Sequence, residues 1–276
     1  ISSKRTIDDL EREYGTRIAI LEAEYKKIKY TITAAREIGE HVISEAQVDT
    51  QYILNLLSNS GNVSFEKLKL PVNFHKLRCT SESDLQVKFV KLFQSLPEQM
   101  KPWGIRDTLV EGYLKDPIGK IDFTIIQGNV VSWVHVVSLI EIKSTLNSKT
   151  SHCEALGQLI DRFTTIFDLQ KNRSFIIGAI CGDSQVEFVW QNREKNIKRS
   201  DLLDLSFTSQ TIGMNMLLNM VTASQMQLGY SPPEDYKAAV SSVCDVDHEI
   251  KILHHLRECD FIPKVITFGN LPENKK

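Results

Sequence analysis

Five cysteines are scattered over 276 residues, at 79, 153, 181, 244 and 259, and no two form a C-x-x-C pair. The spacing excludes a zinc ribbon and offers no disulfide framework, so the thiols read as reduced and buried. Long apolar runs are also lacking. None approaches the roughly 20 residues that a bilayer span requires, so no membrane partner is expected. Charge of one sign is missing as well: 33 Lys and Arg against 35 Asp and Glu leave a net charge of −2. No global field favours a polyanion, and any nucleic-acid contact must come from local basic clusters.

What is present suits a globular protein. Hydrophobic residues make up 42% and charged residues 25%, enough to build one large domain or two ordinary ones. From Ile7 to about Ile32, apolar residues recur at steps of three and four through a charged background, the pattern of a long helix with a coiled-coil-like seam. A second helical stretch, Ile43 to Leu57, ends at Ser-Asn-Ser-Gly. Residues 1–62 therefore read as a helical hairpin, which either pairs with a second copy as a homodimer or packs on its own domain.

Residues 63–230 read as an α/β domain. "CTSESDLQVKFVKLFQSL" has Ser81 or Ser83 as N-cap, Glu82 and Asp84 in the first turn, and apolar positions at helical spacing. Strands are predicted at Thr108 to Leu114, Lys120 to Ile126 and Val136 to Ser144. "SHCEALGQLIDRFTTIFDL" is predicted to be a helix, and "SFIIGAICGDSQVEFVWQN" two strands around a Gly-Asp turn. A Met-rich helix from about Met214 to Leu228, stopped by Gly229 and two prolines, closes the domain. Residues 231–276 read as a helix followed by a strand.

The chemistry sits in "SLIEIKST", residues 138–145. Strand alternation puts Glu141 and Lys143 on one face and Ile140 and Ile142 on the other. A bare E-x-K is usually an exposed pair on an edge strand. Here the preceding predicted strand carries one acid, Asp122, among Ile121, Phe123 and Ile125. If the two strands pair, Asp122, Glu141 and Lys143 share one surface, and adjacent carboxylates repel unless a cation lies between them. Few, hard oxygen donors suit Mg²⁺ or Mn²⁺ with a substrate phosphate, and a lysine beside them suits phosphodiester hydrolysis.

D-x18-E-I-K, with Glu82 on a preceding helix and Gln158 on a following one, resembles the PD-(D/E)xK nuclease superfamily over roughly Glu82 to Gln191. The resemblance implies a central mixed sheet flanked by helices in αβββαβ order. It implies Asp122 and Glu141 as Mg²⁺ or Mn²⁺ ligands, Lys143 as catalytic lysine, Glu82 as the acid of the first helix and Gln158 as the polar residue of the second. Ile121 stands where the motif's proline would be.

"HEIKILHHLRECDFIPKVITFGN" is similar to a helix and strand of a protein-kinase small lobe, with Glu249 matching the helix glutamate. No G-x-G-x-x-G, H-R-D or D-F-G occurs in the chain, so phosphoryl transfer is not expected of it. A nuclease-like domain beside a kinase-like segment resembles the Crinkler effectors and the fungal-type protein kinases. The expectation is a metal-dependent nuclease acting on DNA, its phosphates guided by Lys88, Lys91, Arg193, Lys195, Lys198 and Arg199. The alternative is an inactive nuclease-fold module that binds nucleic acid or protein within a larger kinase-like effector. The compartment is expected to be intracellular, the nucleus included. Because the sequence starts at Ile1, a removed leader is left open.

Overall fold

The computed structural model describes residues 31–58, 65–72, 74, 81–97, 104–107, 121–127, 133–224 and 226–231. The chain divides into two compact units, 1–231 and 232–276, and the second lies wholly outside the described residues. Also outside them are nearly all of the helix expected from Ile7, the strand expected at Thr108 to Leu114, and the C-terminal helix and strand with Glu249.

A mixed sheet forms the centre of the first unit. Its strands are β1 (Gln47–Val48), β2 (Gly104–Asp107), β3 (Phe123–Ile126), β4 (Val136–Ile142), β5 (Phe175–Cys181), β6 (Gln185–Asn192), β7 (Ile197–Arg199) and β8 (Leu203–Asp204). They run in the order β1-β7-β6-β5-β4-β3-β2, with β8 pairing on β6. β2, β3 and β4 form an antiparallel meander, and β5 then pairs parallel to β4. That parallel step needs a crossover, which the long helix between the two strands supplies.

Helices cover both faces. One face carries α2 (Thr50–Ser58), α3 (Glu82–Gln94) and α5 (Ile212–Thr222). Ile53, Leu57, Leu85, Phe89, Phe93, Met214 and Leu217 pack there against Phe123, Ile125, Ile140 and Ile142. On the other face lie α1, described over 31–45, and α4 (Lys149–Leu169). Here Val42, Leu156, Leu159 and Phe163 meet Leu139, Ile176, Ile180 and Val189. All seven residues of β4 are buried, as a central strand covered on both faces requires. Its Glu141 is therefore an acid placed in the core layer.

Several elements differ from the sequence reading. The helix expected from Ile43 to Leu57 is broken, because residues 47 and 48 extend to pair parallel with β7. Asp49 then caps a new helix by accepting the Tyr52 amide at 3.1 Å. A meander strand lies at Gly104–Asp107, ahead of the stretch expected from Thr108, which is outside the described residues. The Met-rich helix ends at Thr222, and a short 3₁₀ turn at Met226–Leu228 carries the chain to Gly229, whose φ is +71°. β7 and β8 have no counterpart in the sequence reading; they are short and form by pairing with β6.

Candidate metal and phosphate site

At the end of β4 the chain leaves the sheet, and three strand-derived groups meet there. β3 pairs with β4 so that Phe123 faces Ile140, and one residue further on Asp122 falls beside Glu141. The ladder does not continue past Phe123. The Ile142 amide instead donates to Asp122 Oδ2 at 2.7 Å. Lys143 stays tied to β5 through its amide, which donates to the Cys181 carbonyl at 2.9 Å. Its ammonium lies 3.4 Å from Glu141 Oε1. The sheet thus brings together Asp122, Glu141 and Lys143.

The flanking helices complete the surroundings. Ser81 caps α3 by accepting the Asp84 amide at 3.1 Å, which sets Glu82 in the exposed first turn. Glu82 and Glu154 both act on the charge of Lys143. On α4, Glu154, Gln158 and Arg162 follow at four-residue steps and share one ridge. Arg162 is 1% exposed, and its Nη1 donates to Glu141 Oε2. Gln158 lies between Glu154 and Arg162 on that ridge. Gln158 is 7% exposed, and among the described residues its Oε1 has no hydrogen-bond partner.

Burial and the neighbouring Glu141 charge push the Asp122 carboxyl up to about 8, against the restraint of the Ile142 amide, Lys143 and Arg162. For Lys143, burial pulls its pKa down, but Glu141, Glu82, Asp122 and Glu154 together outweigh it and raise it. Lys143 is therefore a cation at neutral pH.

Sequence reasoning missed Arg162. A signal was available: a polar i, i+4 ridge of Glu154, Gln158 and Arg162 runs beside the apolar stripe of α4. The basic residues proposed to guide phosphates are mostly engaged inside the protein. Lys88 is buried with its ammonium 4.7 Å from the Phe207 ring centre. Arg193 Nη2 donates to the Gln170 carbonyl at 2.6 Å and its Nη1 to that of Phe167 at 3.2 Å, which closes the end of α4. Lys198 pairs with Asp49 at 2.8 Å and lies over Tyr52. Arg199 pairs at 2.7 Å with Glu187, a fully buried acid of β6 that His152 of α4 also contacts. Lys91 is half-buried and Lys195 exposed.

Among the described residues, no group of three or more His, Cys, Asp and Glu side chains is arranged to hold a metal ion. The oxygen donors at hand are two carboxylates, Asp122 and Glu141, which stand side by side, and the amide oxygen of Gln158 on the neighbouring ridge of α4. This all-oxygen set fits a hard divalent ion that keeps most of its waters, and it lacks the nitrogen and sulfur that zinc prefers.

Among the described residues, no helix is long and apolar enough to cross a membrane. Comparison with curated proteins and with solved structures finds no match. A family model described as fungal protein kinase matches residues 121–257, a stretch that contains Asp122, Glu141, Lys143 and Gln158 but not Glu82. Over that stretch, just under half of its length, the chain is similar to the fungal protein kinase family, in keeping with the kinase-like context read from its C-terminal segment.

Proposed function

We propose that the chain hydrolyses phosphodiester bonds of DNA, with Mg²⁺ or Mn²⁺ as cofactor, on a core of the PD-(D/E)xK type. The observation that carries this reading is the placement of Asp122 beside Glu141 with Lys143 at 3.4 Å from it. The sequence of α3, an antiparallel meander, α4 and a parallel fourth strand supports it as well.

Asp122 and Glu141 would hold the ion, with Gln158 Oε1 as the neutral donor. When bound, the ion supplies an acidified water and a positive charge against the scissile phosphate. Lys143, kept charged by the surrounding acids, cannot act as a base. It holds the attacking water or the phosphate oxygen by donation and offsets the charge that develops there. Gln170, Arg173 and Arg193 lock the far end of α4 to the sheet, so the ridge of Glu154, Gln158 and Arg162 is held against β4.

The test is plasmid nicking by the full 276-residue chain. Cleavage that needs Mg²⁺ or Mn²⁺ and disappears in Asp122→Ala and in Lys143→Ala is expected. Metal-independent cleavage, cleavage that survives both substitutions, or none at all would remove the proposal. One observation favours the second reading, a catalytically inactive binding module: both oxygens of Glu141 already face cationic partners, Arg162 and Lys143. DNA retention without cleavage would select it.

A further inference from the structure

Arg162 is out of place as a packing residue. It projects from α4 among Leu159, Ile160, Phe163 and Ile166, all buried, and is itself 1% exposed. Removing a guanidinium from water is costly, and such a group is retained against a partner of opposite charge or a full set of acceptors. Its partner is Glu141 Oε2, while the other oxygen of the same carboxylate faces Lys143. Asp122, the second acid, feels Arg162 as well.

Glu141 therefore already has a cation at each oxygen, Arg162 at one and Lys143 at the other. A divalent ion arriving at Asp122 and Glu141 must compete with Arg162 for Glu141. The orphaned Oε1 of Gln158 belongs to the residue one turn from Arg162 on the same ridge, which marks a donor that no described residue satisfies.

We infer that Arg162 is a built-in substitute for the metal ion, a side-chain cation that holds Glu141 when no ion is bound and sets the affinity of the site for divalent cations. This deepens the metal-site reading above and rests on it. A carboxylate released from Arg162 keeps the looser Lys143 contact, so an ion gains both a freed oxygen and one less positive charge to oppose it. Arg162 is thus a positioning residue acting through Glu141. It makes loading of the site conditional on metal concentration.

The experiment measures Mn²⁺ binding to the full chain, without substrate, from the paramagnetic resonance signal of the free ion. Arg162→Gln removes the charge and keeps an amide donor; Arg162→Lys keeps the charge. The Gln variant is expected to bind Mn²⁺ at least about tenfold more tightly than wild type and the Lys variant within about threefold of it, since what changes is one charge beside the ion. The gain should vanish when Asp122→Asn is added to Arg162→Gln.

A Gln variant that binds no more tightly than wild type, or whose gain survives Asp122→Asn, overturns the inference. So does a Gln variant that fails to fold both with and without Mn²⁺, because Arg162 would then be a lock of the fold. A Gln variant that folds only with Mn²⁺ supports it. Because no nucleic acid is present, these outcomes are separate from nicking: the binding result can fail while Mn²⁺-dependent, Asp122-dependent nicking stands, and the reverse.

Discussion

Asp122 and Glu141 stand side by side on two paired strands, and the carboxylate of the first accepts the amide of the residue after the second. A ladder that would otherwise run on ends in a side chain. This one substitution of a carboxylate for a backbone carbonyl brings a half-buried acid against a buried one.

In the folded chain the Asp122 carboxyl keeps its proton to about 8, against an ordinary value of 3.8. Between those two values the native state holds a proton that the unfolded chain has released. Stability therefore falls as pH rises through this window, by about 1.4 kcal/mol per pH unit for a single group, and is greatest at its acid end. The melting temperature of wild type should drop between pH 5.5 and pH 8 more steeply than that of Asp122→Asn, which cannot ionise. Parallel curves for the two proteins would show that Asp122 is already ionised in the fold.

The acids of the site were legible because their signal is local. Alternation alone places Glu141 and Lys143 opposite Ile140 and Ile142, and the structure keeps that division: the two isoleucines join the core on the α3 side while Glu141 turns to Arg162 of α4. Asp122 was legible as one acid in an apolar strand. Arg162 was not, since nothing in its own helix says that its face meets a residue 21 positions earlier. The strands at 197–199 and 203–204 were likewise invisible, because they form against β6 and not from their own pattern. The basic run from Arg193 to Arg199 reads as a contact surface in sequence; in the fold its charges close α4, pair Asp49 and neutralise Glu187.

Gln158 separates a structural role from a functional one. A buried amide oxygen with no partner destabilises a fold by about 1 kcal/mol or more, so Gln158→Met should raise stability, by about 2 to 4 °C for a domain of this size. If Gln158 is retained as a metal donor, the same variant should lose affinity for Mn²⁺. A variant that is no more stable and binds Mn²⁺ unchanged would mean that a protein group satisfies the oxygen in solution.

Under the proposed nuclease reading, Lys143 should be the most sensitive residue of the candidate site after the two acids that would hold the ion. Lys143→Met leaves the amide bond to Cys181 in place and removes only the ammonium. Loss of one donor aimed at developing charge lowers turnover by about 10² to 10³ in comparable sites. Nicking should fall by that factor while Mn²⁺ affinity holds or improves, because one opposing charge is gone. A variant that nicks at the wild-type rate would place the chemistry elsewhere.

Arg173 holds the opposite end of the domain. It is 1% exposed, and its guanidinium donates to the carbonyls of Phe175, Val136, Val137 and Leu228 and to Gln170 Oε1, so all five of its N–H groups are used. A lysine offers three donors from a single point and cannot fan out to acceptors on β4, β5 and the turn at Met226–Leu228 at once. Arg173→Lys should cost about 3 to 5 kcal/mol, seen as a lower denaturant midpoint, through buried carbonyls left unpaired.

The packing of α1 on α4 rests on two glycines. A Cβ at Gly157 would stand 1.6 Å from the Ala35 carbonyl oxygen, and one at Gly39 would stand 1.8 Å from that of Cys153. Backbone thus meets backbone at two points one helical turn apart in α1, and only hydrogen fits in either gap. Gly157→Ala must push α1 away from α4, at a cost of about 1 to 3 kcal/mol or more for an overpacked contact. That loss should fall locally. Amide exchange over 31–45 should speed up while β4 and β5, protected on both faces, keep their rates at first. Because Glu154 pairs with Arg36 across the same contact, at 3.9 Å, the displacement also frees an acid on the ridge that faces Lys143. If exchange rose equally in α1 and in the central strands, the two helices and the sheet would be one cooperative unit, and the glycine contact would have no separate part in it.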